Sequence, residues 1–138
     1  MIKTSFIDVR TRGDTDIVDI TPHVAEELKK SGLDEGSATV FVSGSTAGVT
    51  TLEFESGLIQ DVQTFFERVA PERGHYFHEE AWHDGNGHSH VRSALLKTSL
   101  SIPFLRGKLL LGTWQQIVLI DFDNQPRERR LVTQFVGN

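Results

Sequence analysis

Residues 98–136 read TSLSIPF (98–104), KLLL (108–111), GTWQQIVLIDFD (112–123) and RERRLVTQFV (127–136), four apolar runs in succession. Their β-branched content and partial alternation mark strands. Asp123-Asn124-Gln125-Pro126, between the last two runs, is a hairpin turn built from turn-forming residues. At Ile117, Val118, Leu119 and Ile120 both phases of the alternation are apolar. That strand is therefore predicted to be covered on both faces. Upstream, Ile2–Arg10 and Ile17–Ile20 read as strands around a turn at Gly13-Asp14. Thr21 is the expected N-cap of a helix with Pro22 at its first position, Val24 and Leu28 on its apolar stripe, and Gly32 as its stop. Ala38–Ser43 and Thr46–Glu55 are predicted strands. Gly57–Ala70 is a predicted helix with Leu58, Val62, Phe65, Phe66 and Val69 at helical spacing, ended by Pro71. Residues 72–90 lack a period and read as a long loop, the kind that in compact domains is usually functional. Two helices ahead of a β-rich end predict an α+β fold: one domain over 1–138, mostly antiparallel sheet or sandwich, with two main helices.

Bulk properties narrow the function. A chain of 138 residues has the commonest size of a single domain, about 100–150. With no cysteine, thiolate nucleophiles, Cys-ligated zinc and disulfides are excluded. The first residues carry no apolar h-region, and no apolar run approaches the roughly 18 residues of a membrane span. The expectation is a cytoplasmic protein without a membrane partner. Residues 1–86 carry seven Lys and Arg against sixteen Asp and Glu, a net of −9, and residues 87–138 carry seven against three, a net of +4. The second part suits an anionic ligand, or the two parts pair on folding. The net charge of −5 argues against nucleic acid, whose binding rests largely on phosphate neutralisation.

Five of the six histidines lie between 75 and 90, with a tight core at His83-Asp84-Gly85-Asn86-Gly87-His88-Ser89-His90. In an extended chain His88 and His90 project from one face. Gly85 and Gly87 let the preceding loop fold back and bring His83 to them. Three imidazoles so converged are a catalytic-type zinc set with an open position, and Asp84 could orient a ligand through its second ring nitrogen. Local turn capping, or an anion site without metal, remain the alternatives. His75 and His78 fall outside this core and suit packing or the surface, and His23 is incidental. Gly112-Thr113-Trp114-Gln115, placed in a strand, offers a stacking face and an amide, or simply a core Trp at a bulge. Ser43-Gly44-Ser45-Thr46-Ala47-Gly48 leaves backbone N–H groups accessible to an anion, or is an ordinary turn. Glu53 is a candidate acid/base. Arg127 and Arg129, at spacing two, could grip a phosphate bidentately, or form a basic edge.

Ser45-Thr46-Ala47-Gly48-Val49-Thr50, the His83–His90 stretch, Gly107-x4-Gly112-Thr113-Trp114-Gln115 and Arg127-x-Arg129-Arg130 occur in this order. Together they resemble the YjbQ family, also called secondary thiamine-phosphate synthases, over essentially the whole chain. The resemblance implies one α+β domain and a homotrimer. It implies a His-lined region between subunits that holds a divalent metal (zinc or magnesium) or an anion in some members. The implied activity is a weak transfer joining a hydroxymethylpyrimidine diphosphate to a thiazole phosphate. Carried over residue by residue, it points to Glu53, His83, His88, His90, Trp114 and Gln115. His83, His88 and His90 are the candidate metal ligands. Gly85, Gly87, Arg127 and Arg129 are the candidate holders of a phosphorylated small molecule. One departure is that Glu53 is followed by Phe54-Glu55-Ser56, where the family often has Asn, an acid and Pro. A metal-dependent hydrolase, with Glu53 as base, and a non-catalytic sensor of a phosphorylated ligand are the competing functions.

Overall fold

Twelve elements follow one another along residues 1–138 of this computed structural model: β1 (Ile2–Thr11), β2 (Asp16–Asp19), α1 (Thr21–Ser31), β3 (Glu35–Val42), β4 (Ala47–Leu52), α2 (Ser56–Val69), α3 (Phe77–Trp82), α4 (Gly87–Leu96), β5 (Ser99–Leu105), β6 (Lys108–Leu109), β7 (Gln116–Asp121) and β8 (Arg127–Gly137). They build two antiparallel sheets, ordered β1-β8-β3-β5-β6 and β2-β7-β4. β1 and β8 pair over their full length, from Ile2 opposite Val136 to Thr11 opposite Arg127. The α+β, mostly antiparallel fold expected from the sequence is the fold observed. No helix is long and apolar enough to cross a membrane.

β7 lies at the centre of the stack, with Ile117, Val118, Leu119 and Ile120 all fully buried. Ile117 and Leu119 face the large sheet, where they pack with Val40, Val42, Leu131 and Phe135, joined by Val24 and Leu28 of α1. Val118 and Ile120 face the other way, toward Phe66 of α2, with Phe122 beside them and Leu96 of α4 against the cluster. The blurred alternation of this run thus reflects a strand sandwiched between a sheet and helices.

Four details depart from the sequence reading. Thr21 starts α1 instead of capping it: its hydroxyl accepts a hydrogen bond from Ile117 N–H at 2.8 Å, and Ile20 is the N-cap. On α2 only Phe66 is buried, while Phe65 and Val69 are exposed. Gly112–Gln115 precede β7 as a turn, closed by Gln115 N–H to Gly112 O at 3.0 Å, rather than lying in a strand. The largest departure is at 72–96, where α3 and α4 replace most of the expected loop. α4 buries Gly87, His88, Ser89, Arg92 and Ser93. The spacing is that of a helix face, but the residues are polar, so hydrophobic periodicity has nothing to register.

The unequal charge of the two parts of the chain is partly resolved by pairing between them. Arg92 meets Glu67 at 2.8 Å and Arg130 meets Asp8 at 3.2 Å.

Candidate metal centre and polar cleft

The hairpin of α3 and α4 assembles the site. His83 ends α3 in the left-handed region, φ 52°, and Gly85 repeats that conformation at φ 72°, so the chain doubles back. The carboxylate of Glu79 straps the turn, accepting Gly85 N–H and Gly87 N–H, each at 2.7 Å. These two donors, Gly85 first, hold its pKa below the usual carboxylate value. Asp84 accepts Asn86 N–H at 3.0 Å. Asn86 is buried, and its Oδ1 accepts from Ser89 Oγ at 2.8 Å and Asn124 N–H at 2.9 Å.

This fold-back brings together His78, Asp84 and His90, whose candidate ligand atoms all lie within 4.8 Å of one another. The two imidazole rings lie 4.3 Å apart between centroids, tilted by 40°. His78 Nδ1 is 3.5 Å from Asp84 Oδ1, yet it is buried without a hydrogen-bond partner. A buried ring nitrogen without a partner is costly. Beside a carboxylate and a second imidazole it has the environment of a ligand awaiting a cation. The donor set of two imidazole nitrogens and one carboxylate fits zinc or another first-row transition metal, and fits magnesium, which prefers oxygen, poorly. Glu79→Ala removes the strap that orients the turn. We expect metal affinity to fall by about tenfold or more, as for other residues that support ligands from behind; metal titration by calorimetry would measure it.

His90 also borders a cleft of about 410 Å³ formed with Gly44, Ser45, Ser93, Lys97 and Thr98. Lys97 holds φ 84°, ψ 160° at the end of α4, a region non-glycine residues rarely occupy. Its carbonyl accepts Val49 N–H at 3.1 Å. A Cβ on Gly48 would come within 2.6 Å of that carbonyl, so glycine is what lets β4 and α4 approach this closely.

The other residues singled out in the sequence fall elsewhere. His83 is an exposed helix cap. His88 and His90 are two apart on a helix rather than on an extended chain, so they face nearly opposite sides. His88 points inward and is 2% exposed. The structure therefore does not bring His83, His88 and His90 together; the set it assembles uses His78 and Asp84 with His90. Gly85 and Gly87 form the turn. Arg129 is engaged by Asp121 through Nε at 2.7 Å and Nη2 at 2.9 Å, and Arg127 by Asp123 at 3.1 Å. Glu53 and Trp114 are exposed, and Gln115 bonds Thr51 at 3.1 Å. These three sit at the Leu52–Gln116 end of the small sheet. At about 3.3 Å per residue, that end is roughly 20 Å from Ala47 and the cleft. His78 and Lys97 are the residues the sequence reading missed. Only the fold-back of α3 on α4 reveals the first, and no local pattern marks the second.

Burial, and then the charge of Arg92, lower the pKa of His88. The unfolded chain therefore binds this proton more readily than the folded one. Stability from this group is complete above the ordinary histidine value of about 6.5 and is lost as pH falls below it. Urea midpoints of wild type and His88→Phe, compared between about pH 7.5 and pH 5, should fall more steeply with acid in the wild type.

Fold and site together define a two-sheet α+β protein with a histidine–aspartate cluster at the mouth of a polar cleft. The chain belongs to the UPF0047 family of YjbQ-like proteins, whose profile matches residues 5–138. It is 34% identical over 136 residues to a UPF0047 protein of Methanothermobacter thermautotrophicus, covering 99% of this chain and 93% of that protein. It is 31% identical to the UPF0047 protein YugU of Bacillus subtilis, covering 99% and 100%. A crystal structure of a YbjQ-like protein of unknown function from Sulfolobus solfataricus superposes with a TM-score of 0.89 at 30% identity, over the whole of both chains.

Proposed function

We propose that this protein binds a divalent transition metal, zinc in preference to magnesium, through His78, Asp84 and His90, and uses it on a phosphorylated small molecule seated in the adjoining cleft. The observation that carries this reading is the buried, unpartnered Nδ1 of His78 within ligand distance of Asp84 and His90. Bound there, the metal would neutralise charge on phosphoryl oxygens. The chain's own part is positioning. Lys97 and Ser45, on the cleft wall, offer an ammonium and a hydroxyl to the phosphate, and the Ser43–Thr46 loop offers backbone N–H groups.

The family resemblance supplies a specific reaction: joining hydroxymethylpyrimidine diphosphate to thiazole phosphate with loss of pyrophosphate. The thiazole nitrogen is the nucleophile, so no protein nucleophile is required. Trp114 would stack on a ring and favour positive charge there. Within one chain Trp114 lies far from the histidines, so this reading requires the homotrimer, with Trp114, Gln115 and Glu53 of one protomer beside the neighbour's metal set. The exposed aromatics Phe77, Trp82 and Trp114, each more than 70% accessible, suit burial against another copy. The setting is the cytoplasm, where phosphorylated metabolites are found.

Metal content and thiamine-phosphate formation, measured on wild type, on His90→Ala and Trp114→Ala, and on trimers mixed from the two variants, test the proposal. We expect about one metal ion per wild-type chain, lost in His90→Ala, and activity partly restored in the mixed trimers. Metal binding without product, but with turnover of simple phosphate esters, would favour a hydrolase. Metal retained in full by His90→Ala would refute the site.

A further inference from the structure

Across α4 from the metal set lies a second, separate cavity of about 260 Å³, walled by Asp14, Thr15, Gln63, Glu72, His88 and Arg92, with Glu67 beside them. We propose that this cavity binds a small organic cation carrying N–H donors, a primary ammonium or a guanidinium, held by the ring nitrogen of His88 and the carboxylates of Glu72 and Asp14.

His88 is the unusual group in this wall. Its ring is 2% exposed and its Nδ1 has no hydrogen-bond partner. Its other nitrogen, Nε2, lies 3.3 Å from Ser89 Oγ. The single Ser89 hydroxyl proton is claimed by Phe122 O at 2.5 Å or Asn86 Oδ1 at 2.8 Å. Toward His88 that oxygen can therefore only accept, which puts the imidazole proton on Nε2 and leaves Nδ1 as a bare acceptor. A ring this deeply buried disfavours the charged imidazolium form. A buried acceptor without a donor is the exception in folded proteins and calls for an occupant.

The rest of the wall specifies that occupant. Arg92 is spent: Nε donates to Ala70 O at 2.9 Å, Nη1 to Thr15 Oγ1 at 2.9 Å and Nη2 to Glu67 at 2.8 Å. The carboxylates of Asp14 and Glu72 have neither an ion-pair nor a hydrogen-bond partner. Three carboxylates against one guanidinium leave the cavity negative, which disfavours anions and favours a cation. The His88 ring and these acids do not form a compact ligand set of the kind His78, Asp84 and His90 make, so an organic cation fits better than a bare metal ion. The loop over the cavity supports a functional reading. Gly13, Asp14 and Thr15 hold φ of 78°, 53° and 63° in succession. For β-branched Thr15 this is a true outlier, held by Gln63 Nε2 on its carbonyl at 3.0 Å and by Arg92 on its hydroxyl.

The test is a titration of the ¹⁵N-labelled protein with methylammonium and with guanidinium chloride at constant ionic strength, following the His88 Nδ1 resonance. Sodium phosphate serves as the anionic control. Saturable movement of that resonance with one of the cations is expected, together with about a tenfold weaker affinity in Glu72→Gln, the worth of one charge-assisted hydrogen bond. Glu72 is exposed, so this variant stays informative should His88→Phe fail to fold. No saturable response to either cation, a response to phosphate instead, or an unchanged affinity in Glu72→Gln would each overturn the proposal. Because the site shares no residue with the metal set, its failure leaves the metal proposal standing, and the reverse.

Discussion

Replacing Asp121 with alanine is expected to cost about 3–5 kcal/mol of folding stability, a large share of the roughly 5–15 kcal/mol that holds a domain of this kind together. The carboxylate has no exposed surface. Arg129 grips it with two nitrogens, Thr11 Oγ1 donates to it at 2.6 Å, and Asp123 N–H donates at 3.0 Å. Deleting it strands a guanidinium that is only 11% exposed, leaves the Asp123 N–H without a partner, and leaves Thr11 Oγ1 only its longer bond to Arg127 O at 3.2 Å. Asp121→Asn keeps the shape and one acceptor, and should lose less. Denaturation midpoints in guanidinium chloride, with the slope monitored for constancy, measure both. A loss under about 1 kcal/mol would mean that Asp123, whose Oδ2 lies 3.8 Å from Arg129, takes over the guanidinium, and that the Asp121 pair does not hold this corner together.

The second large effect is expected at Gly87. A Cβ there would lie 2.5 Å from Tyr76 Cβ and 2.8 Å from its Cγ, so Gly87→Ala must push Tyr76, which leads into α3, away from α4. His78 rides on α3 and His90 on α4, so the substitution pries the proposed metal set apart. Metal affinity should fall by about 10–100-fold, against a stability loss of only about 1–3 kcal/mol for the overpacked contact. Calorimetric metal titration alongside thermal melts separates the two. A variant that keeps its metal affinity would show that the hairpin can relax without moving the ligands.

The fold could be read from the sequence wherever a strand or helix turns an apolar face to the core. β7 announces its burial on both faces through Ile117–Ile120, and α1 its end through Gly32, whose φ is 71°. The reading failed where burial is polar. α4 turns His88, Ser89, Arg92 and Ser93 inward because each finds a hydrogen-bond partner or a cavity wall, so the helix has no hydrophobic signature. The same blind spot shaped the view of the site. His-x-His on an extended chain places both rings on one face, whereas on a helix it splits them between the candidate metal set and a separate cavity. Of the three histidines read from the sequence as ligands, only His90 belongs to the set that the fold assembles, beside Asp84, which the sequence reading places behind a ligand. No sequence signal marks His78, because its nearness to His90 exists only once α3 folds back on α4. Arg127 and Arg129 looked like a phosphate grip because their acidic partners, Asp123 and Asp121, sit in the preceding strand and turn, where sequence spacing does not reveal the pairing.

β8 occupies the middle of the large sheet, between β1 and β3, although it follows all seven other strands along the chain. Until it emerges, β1 and β3 have no common partner. The first ten residues must wait through the synthesis of more than a hundred others before their edge is covered. The nascent chain therefore carries an open strand edge for most of its synthesis, a state prone to pairing with neighbouring chains. At a synthesis rate of about 5–20 residues per second, that exposure lasts several seconds or longer. Chaperone demand during translation should therefore fall in a circular permutant that links the end of β8 to the start of β1 and opens the chain between α2 and α3, since β8 and β1 would then emerge one after the other.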